Sequence, residues 1–92
     1  MKRRTDTMRV MIISHDRATI RALKLALGRK MEEIPEIVSA YSREQTLSLA
    51  KKEEFDILIC DADMPGEEGV QAIRELRQKK YRGGVILISS QC

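Results

Sequence analysis

The sequence predicts an α/β domain built on a parallel sheet, and three observations carry that expectation. Four short apolar runs, at residues 10–14, 36–40, 57–60 and 85–88, have the length and composition of strands. Three stretches of helical periodicity separate them, so the order is βαβαβαβ; parallel strands then need right-handed crossovers, with helices on the faces of the sheet. Finally, polar residues able to do chemistry stand where the apolar runs stop: Asp16 after the first, Asp61 after the third and Ser89 after the fourth.

Each element follows from its residues. The run at 10–14 is a buried strand. Arg17 to Lys30 reads as an amphipathic helix with Ile20, Leu23 and Leu27 on one face, widened by Ala18, Ala22 and Leu25, and with Arg17, Arg21, Lys24 and Gly28 opposite. After the second strand, Ser42 with Gln45 three residues on makes a capping-box start for a helix that turns Thr46, Leu47 and Ala50 inward. Ile57, Leu58, Ile59 and Cys60 form a buried parallel strand that ends in Asp61. Asp63, Pro65 and Gly66 then force a tight loop, with Met64 held out of helical geometry by the proline after it. A third helix over 68–80 carries Val70, Ile73 and Leu76, Gly83 and Gly84 close it, and 85–88 is a fourth buried strand.

Composition sets the outer bounds. Of the 92 residues, 42% are hydrophobic and 34% charged, which suits one compact domain over 8–92 behind a flexible leader at 1–7. No apolar run approaches the length that spans a bilayer, and the N-terminus lacks a signal-peptide core, so no membrane partner and a cytoplasmic address are expected. The net charge of +3 is spread over the helices, with one dense cluster at Lys2, Arg3 and Arg4. Tyr41, Phe55 and Tyr81 form no basic stacking platform, so no direct nucleic-acid binding by this domain is expected. Cys60 and Cys92 have neither metal-ligand nor disulfide spacing.

If the sheet is parallel, Asp16, Asp61 and Ser89 emerge on one rim. Two carboxylates from different strands, with a loop carbonyl such as that of Asp63, suit a hard cation such as magnesium. Taken singly, Asp16 is better explained as a helix cap and Asp61 as a strand end, but their joint appearance at matched strand ends, with a hydroxyl at the third, points to a site.

The whole set resembles the receiver domain of two-component response regulators, over residues 8–90. The D-x-x-M-P signature stands as Asp61, Ala62, Asp63, Met64 and Pro65, followed by Glu68 and Gly69; the acidic pair after the first strand aligns with His15 and Asp16, and the Ser or Thr ending strand four aligns with Ser89. The resemblance implies a flavodoxin-like doubly wound sheet of order 2-1-3-4, lacking the last helix, strand and helix of a full receiver and the lysine placed after strand five. It further implies a phosphoryl group accepted by Asp61 from a sensor histidine kinase or phosphotransfer protein, in a magnesium-dependent phosphorelay rather than as an enzyme acting on a substrate. The ligands would be Asp16, Asp61 and the backbone carbonyl of Asp63, with His15 at the position of the first family acid; Ser89 would contact the phosphate, and Met64, Pro65 and Gly66 would set the loop. The alternative is a pseudo-receiver, an interaction or dimerisation module that works without phosphorylation. Strand four as a free edge implies a homo-oligomer.

Overall fold

The sequence folds into β1 (Arg9–Ile13), α1 (Arg17–Lys30), β2 (Glu36–Ala40), α2 (Arg43–Lys52), β3 (Ile57–Asp61), a 3₁₀ turn (Pro65–Glu67), α3 (Glu68–Gln78) and β4 (Gly84–Ile88). The computed structural model describes residues 7–30 and 35–89; most of the expected leader, with its basic cluster, and Cys92 lie outside the described residues. The strands lie in the order β2-β1-β3-β4, and every neighbouring pair is parallel. This is the flavodoxin-like arrangement that the resemblance implies.

Strand periodicity divides the core. Met11 and Ile13 of β1, with Leu58 and Cys60 of β3, face α2 and α3, where they meet Phe55, Met64 and Leu76. Val10 and Ile12, with Ile59, face α1 and pack on Ile20, Leu23 and Leu27. Each helix has its own stop and start. Ser42 caps α2 by accepting from the Gln45 N–H at 3.1 Å, and the Gln45 amide oxygen accepts from the N–H of Tyr41 at 2.7 Å, one residue before the cap.

Four expectations change. β1 runs from Arg9 to Ile13, one residue earlier than the apolar run at 10–14. Arg9 joins the sheet because its charge is answered: its guanidinium pairs with Glu36 at 3.0 Å and its N–H donates to Asp56 Oδ2 at 2.8 Å. On α1, Ala18, Ala22 and Leu25 are exposed, Leu25 by 57%, so the buried stripe is the narrow one of Ile20, Leu23 and Leu27. α3 ends at Gln78, before the glycines. Lys80 at φ 72 takes the left-handed position there, with Lys80 N–H on Arg77 O and Tyr81 N–H on Leu76 O, the Schellman pattern. β4 is not buried, since Ile86 is 49% and Leu87 56% exposed on a strand whose neighbour among the described residues is β3 alone.

Candidate functional site

The carboxyl ends of β1, β3 and β4 open into a cleft of about 720 Å³ lined by His15, Asp16, Arg17, Thr19, Asp61, Asp63, Ile88 and Ser89. The parallel sheet therefore brings together all the residues expected on one rim. At the floor is Asp61, the last residue of β3 and 8% exposed. Both of its oxygens accept hydrogen bonds, Oδ2 from the Ser14 hydroxyl at 2.8 Å and Oδ1 from the Asp63 N–H at 2.8 Å. A buried carboxylate must find such donors, and here the loop and the neighbouring strand supply them.

The loop after Asp61 is fixed from beneath. Met64 is extended and 4% exposed, its side chain in the core, and Pro65 opens the 3₁₀ turn. Gly66 and Glu67 follow at φ 64 and φ 57, two successive left-handed residues that redirect the chain into α3. Gly69 in the first turn of α3 lies against Cys60 and Met64. A Cβ there would meet Cys60 Sγ at 2.5 Å and the Asp61 carbonyl at 3.0 Å, so a glycine is needed for α3 to approach the strand end. Cys60 donates to that same carbonyl at 3.6 Å, and burial, followed by the charge of Asp61, pushes its thiol up to about 11. It is a packing residue.

Asp16 is placed differently from Asp61. Its carboxylate accepts from the Ala18 N–H at 3.0 Å and the Thr19 hydroxyl at 2.9 Å, which caps α1 and, the Thr19 bond first, holds its carboxyl below the usual value. His15 is exposed on the rim, and Ser89 donates to the Asp63 carboxylate at 3.2 and 3.3 Å. With β1 ending at Ile13, the two residues directly after the strand are Ser14 and His15, and Asp16 follows at the start of α1. Ser14, whose hydroxyl bonds Asp61, is the neighbour that sequence reasoning missed. The register that sets Ile13 beside Cys60 carries on to bring Ser14 within hydrogen-bonding distance of Asp61.

Magnesium needs hard oxygen ligands that converge on one point. Among the described residues no three carboxylate, imidazole or thiol groups converge closely enough to hold an ion. The Asp16 carboxylate is turned to its helix, and the side chain bonded to Asp61 is a neutral hydroxyl. These side chains do not fit a ready-made magnesium site.

The protein-family model described as response regulator receiver domain matches residues 10–92. The DNA-binding transcriptional activator EvgA of Escherichia coli is 31% identical over 82 residues, covering 89% of this chain and 39% of that protein. The cell cycle response regulator CtrA of Brucella ovis is 28% identical over 82 residues, covering 89% of this chain and 34% of that protein. The chain thus spans about two fifths or less of the length of these curated relatives. Among solved structures, the response regulator TrrA from Thermotoga maritima, in complex with Mg(2+)-BeF, superposes with a TM-score of 0.79 at 26% identity, covering 91% of this chain and 70% of that one. The chemotaxis protein CheY4 of Vibrio cholerae shares the fold, with a TM-score of 0.79 at 17% identity, covering 94% and 71%. With the 2-1-3-4 parallel sheet, the aspartate at the end of β3 and the family match running from β1 past β4, the chain belongs to the response regulator receiver domain family.

Proposed function

We propose that this receiver domain accepts a phosphoryl group on Asp61 from a phosphohistidine of a sensor kinase or phosphotransfer protein. The observation that carries the reading is the Asp61 carboxylate, held by a donor on each oxygen at the floor of a cleft that also presents the Ser89 hydroxyl. A carboxylate oxygen attacks phosphorus, the O–P bond forms, the P–N bond breaks, and its electron pair leaves with the donor's imidazole. Little proton chemistry is asked of the protein; positioning and charge do the work. Arg17 and His15 line the same cleft and set basic groups beside the incoming phosphoryl oxygens. Ser89 would leave the Asp63 carboxylate and donate to the phosphate, coupling the end of β4 to the acceptor.

In this reading the domain works in the cytoplasm and signals through protein partners, without contacting nucleic acid itself. No helix among the described residues is long and apolar enough to cross a membrane. The exposed apolar β4, which among the described residues pairs with β3 alone, makes it self-associate. The test is intact mass after incubation with acetyl phosphate, with and without magnesium. A single phosphoryl addition that Asp61→Asn abolishes supports the reading, and no addition from either acetyl phosphate or a phosphohistidine donor refutes it.

One observation favours a second reading, that of an interaction module working without phosphorylation. The two residues directly after β1 are Ser14 and His15, and the carboxylate of Asp16 is engaged in capping α1. On this reading, a partner retained equally by the wild type and Asp61→Asn would be found.

A further inference from the structure

The donor set around Asp61 disagrees with the divalent cation that the family resemblance implies, and the disagreement has its cause at Ser14. This side chain is fully buried between β1 and β3. Its hydroxyl donates to Asp61 Oδ2 at 2.8 Å and accepts from the Asp16 N–H at 3.1 Å, so it ties the start of α1 to the acceptor carboxylate. Asp63 N–H holds the other oxygen at 2.8 Å. Both oxygens are oriented by the protein.

The charge balance points the same way. A carboxylate at position 14 would face Asp61 across hydrogen-bonding distance, and two such groups repel until a cation or a proton lies between them. A hydroxyl brings a donor and no charge. Position 14 therefore orients Asp61 but adds no charge to attract a divalent ion beyond that of the Asp61, Asp63 and Asp16 carboxylates lining the cleft.

We propose that Ser14 is a positioning residue that holds Asp61 in a cation-free arrangement, the hydrogen bonds from Ser14 and the Asp63 N–H doing the orienting that a divalent cation would otherwise do. The inference rests on Asp61 as phosphoacceptor only for its consequence, which is a phosphoryl transfer with little dependence on magnesium. The arrangement itself is testable without any phosphodonor.

The experiment is a titration of the whole chain with magnesium chloride alone, followed by the amide resonances of Asp61, Ala62 and Asp63, in the wild type, Ser14→Asp and Ser14→Ala. The wild type should show no saturable shift through the millimolar range, whereas Ser14→Asp should acquire one, its affinity at least about tenfold higher. In Ser14→Ala, magnesium should still have no saturable effect, and the Asp63 amide should exchange with solvent about two- to tenfold faster, as loss of one hydrogen bond frees Asp61. Saturable binding by the wild type as tight as that of Ser14→Asp overturns the proposal, as does a folded Ser14→Asp that gains nothing, or unchanged Asp63 exchange in Ser14→Ala. Should Ser14→Asp fail to fold, the wild-type titration and the Ser14→Ala exchange still decide. Failure of acetyl phosphate to label Asp61, with these arms as expected, removes the phosphoacceptor reading and leaves the role of Ser14 standing.

Discussion

On the face of the sheet covered by α2 and α3, the buried cluster runs unbroken from Met11 and Ile13 through Leu58 and Cys60 to Met64 and Leu76, whereas among the described residues the opposite face has α1 alone over Val10, Ile12 and Ile59. The difference matters for the site because the two faces hold different parts of it. The loop that carries Asp61 is anchored in the first face by Met64 and by Gly69 against Cys60. Asp16 sits on the second, at the start of a helix whose Leu25 is exposed, above a sheet whose Ile86 is half exposed. The loop after Asp61 is thus fixed by the layer of two helices, and the expected second carboxylate stands at the start of the helix that covers the other face.

The largest effect should come from breaking the covered face. Leu58 is 1% exposed in β3, and Leu58→Ala should destabilise the domain by about 2–5 kcal/mol, a large share of the stability of a domain this small. Ile86→Ala on the thinly covered face should lose far less, because its side chain is already half in water. Urea denaturation followed by circular dichroism measures both, and equal losses would show that the faces are not energetically distinct.

Gly69→Ala comes next and tests the link between that face and the acceptor. The new methyl group would press on Cys60 Sγ, the Asp61 carbonyl and Met64 Sδ at once. Overpacking of this kind should destabilise by about 1–3 kcal/mol. It should also move the Asp61 and Asp63 amide resonances more than those of α1, which the same spectra report.

A smaller effect, and one confined to acid, belongs to Asp16. The Thr19 hydroxyl and then the Ala18 N–H bond its ionised form, so its carboxyl titrates below the ordinary value of 3.8. A group with a lowered folded-state value contributes stability above its unfolded value and loses it as the pH falls through the folded one. Asp16→Asn should therefore keep a capping oxygen and nearly the wild-type melting temperature at about pH 7, yet lose less than the wild type on acidification to about pH 3. Asp16→Ala should be the less stable of the two at neutral pH. Thermal melts at the two pH values decide it; identical acid slopes for the wild type and Asp16→Asn would remove the cap from the account.

The fold was legible because the signals for it are local and repeated: strand-length apolar runs, a serine cap with Gln45, and a proline loop after Asp61 all agree on one alternation. Register was not. Arg9 falls outside the apolar run until Glu36 and Asp56 arrive to pair with it, and those partners come from other strands and loops. The pairing of Ile13 with Cys60, which puts Ser14 beside Asp61, likewise depends on strands distant in the sequence. Whether Asp16 turns to the cleft or to its own helix was equally hidden, since Thr19 three residues on serves a cap as well as it serves a helix face. The glycines at 83 and 84 misled in the other direction, because Lys80 accepts the left-handed position that a glycine was expected to fill.

The smallest expected change in stability is at the exposed edge, where its consequence is association instead. Ile86 is 49% and Leu87 56% exposed on β4, which among the described residues pairs with β3 alone, and an apolar strand so placed is a template for another chain. A charged side chain on such a strand disfavours pairing while removing little burial, so Ile86→Lys should shift stability by no more than about 0.5 kcal/mol. The wild-type chain should elute from size exclusion as a dimer or larger species by light scattering, and Ile86→Lys should shift it towards monomer with its circular dichroism unchanged. A wild type that stays monomeric at micromolar concentration would separate the two faces by coverage alone, with no partner needed for the thinner one.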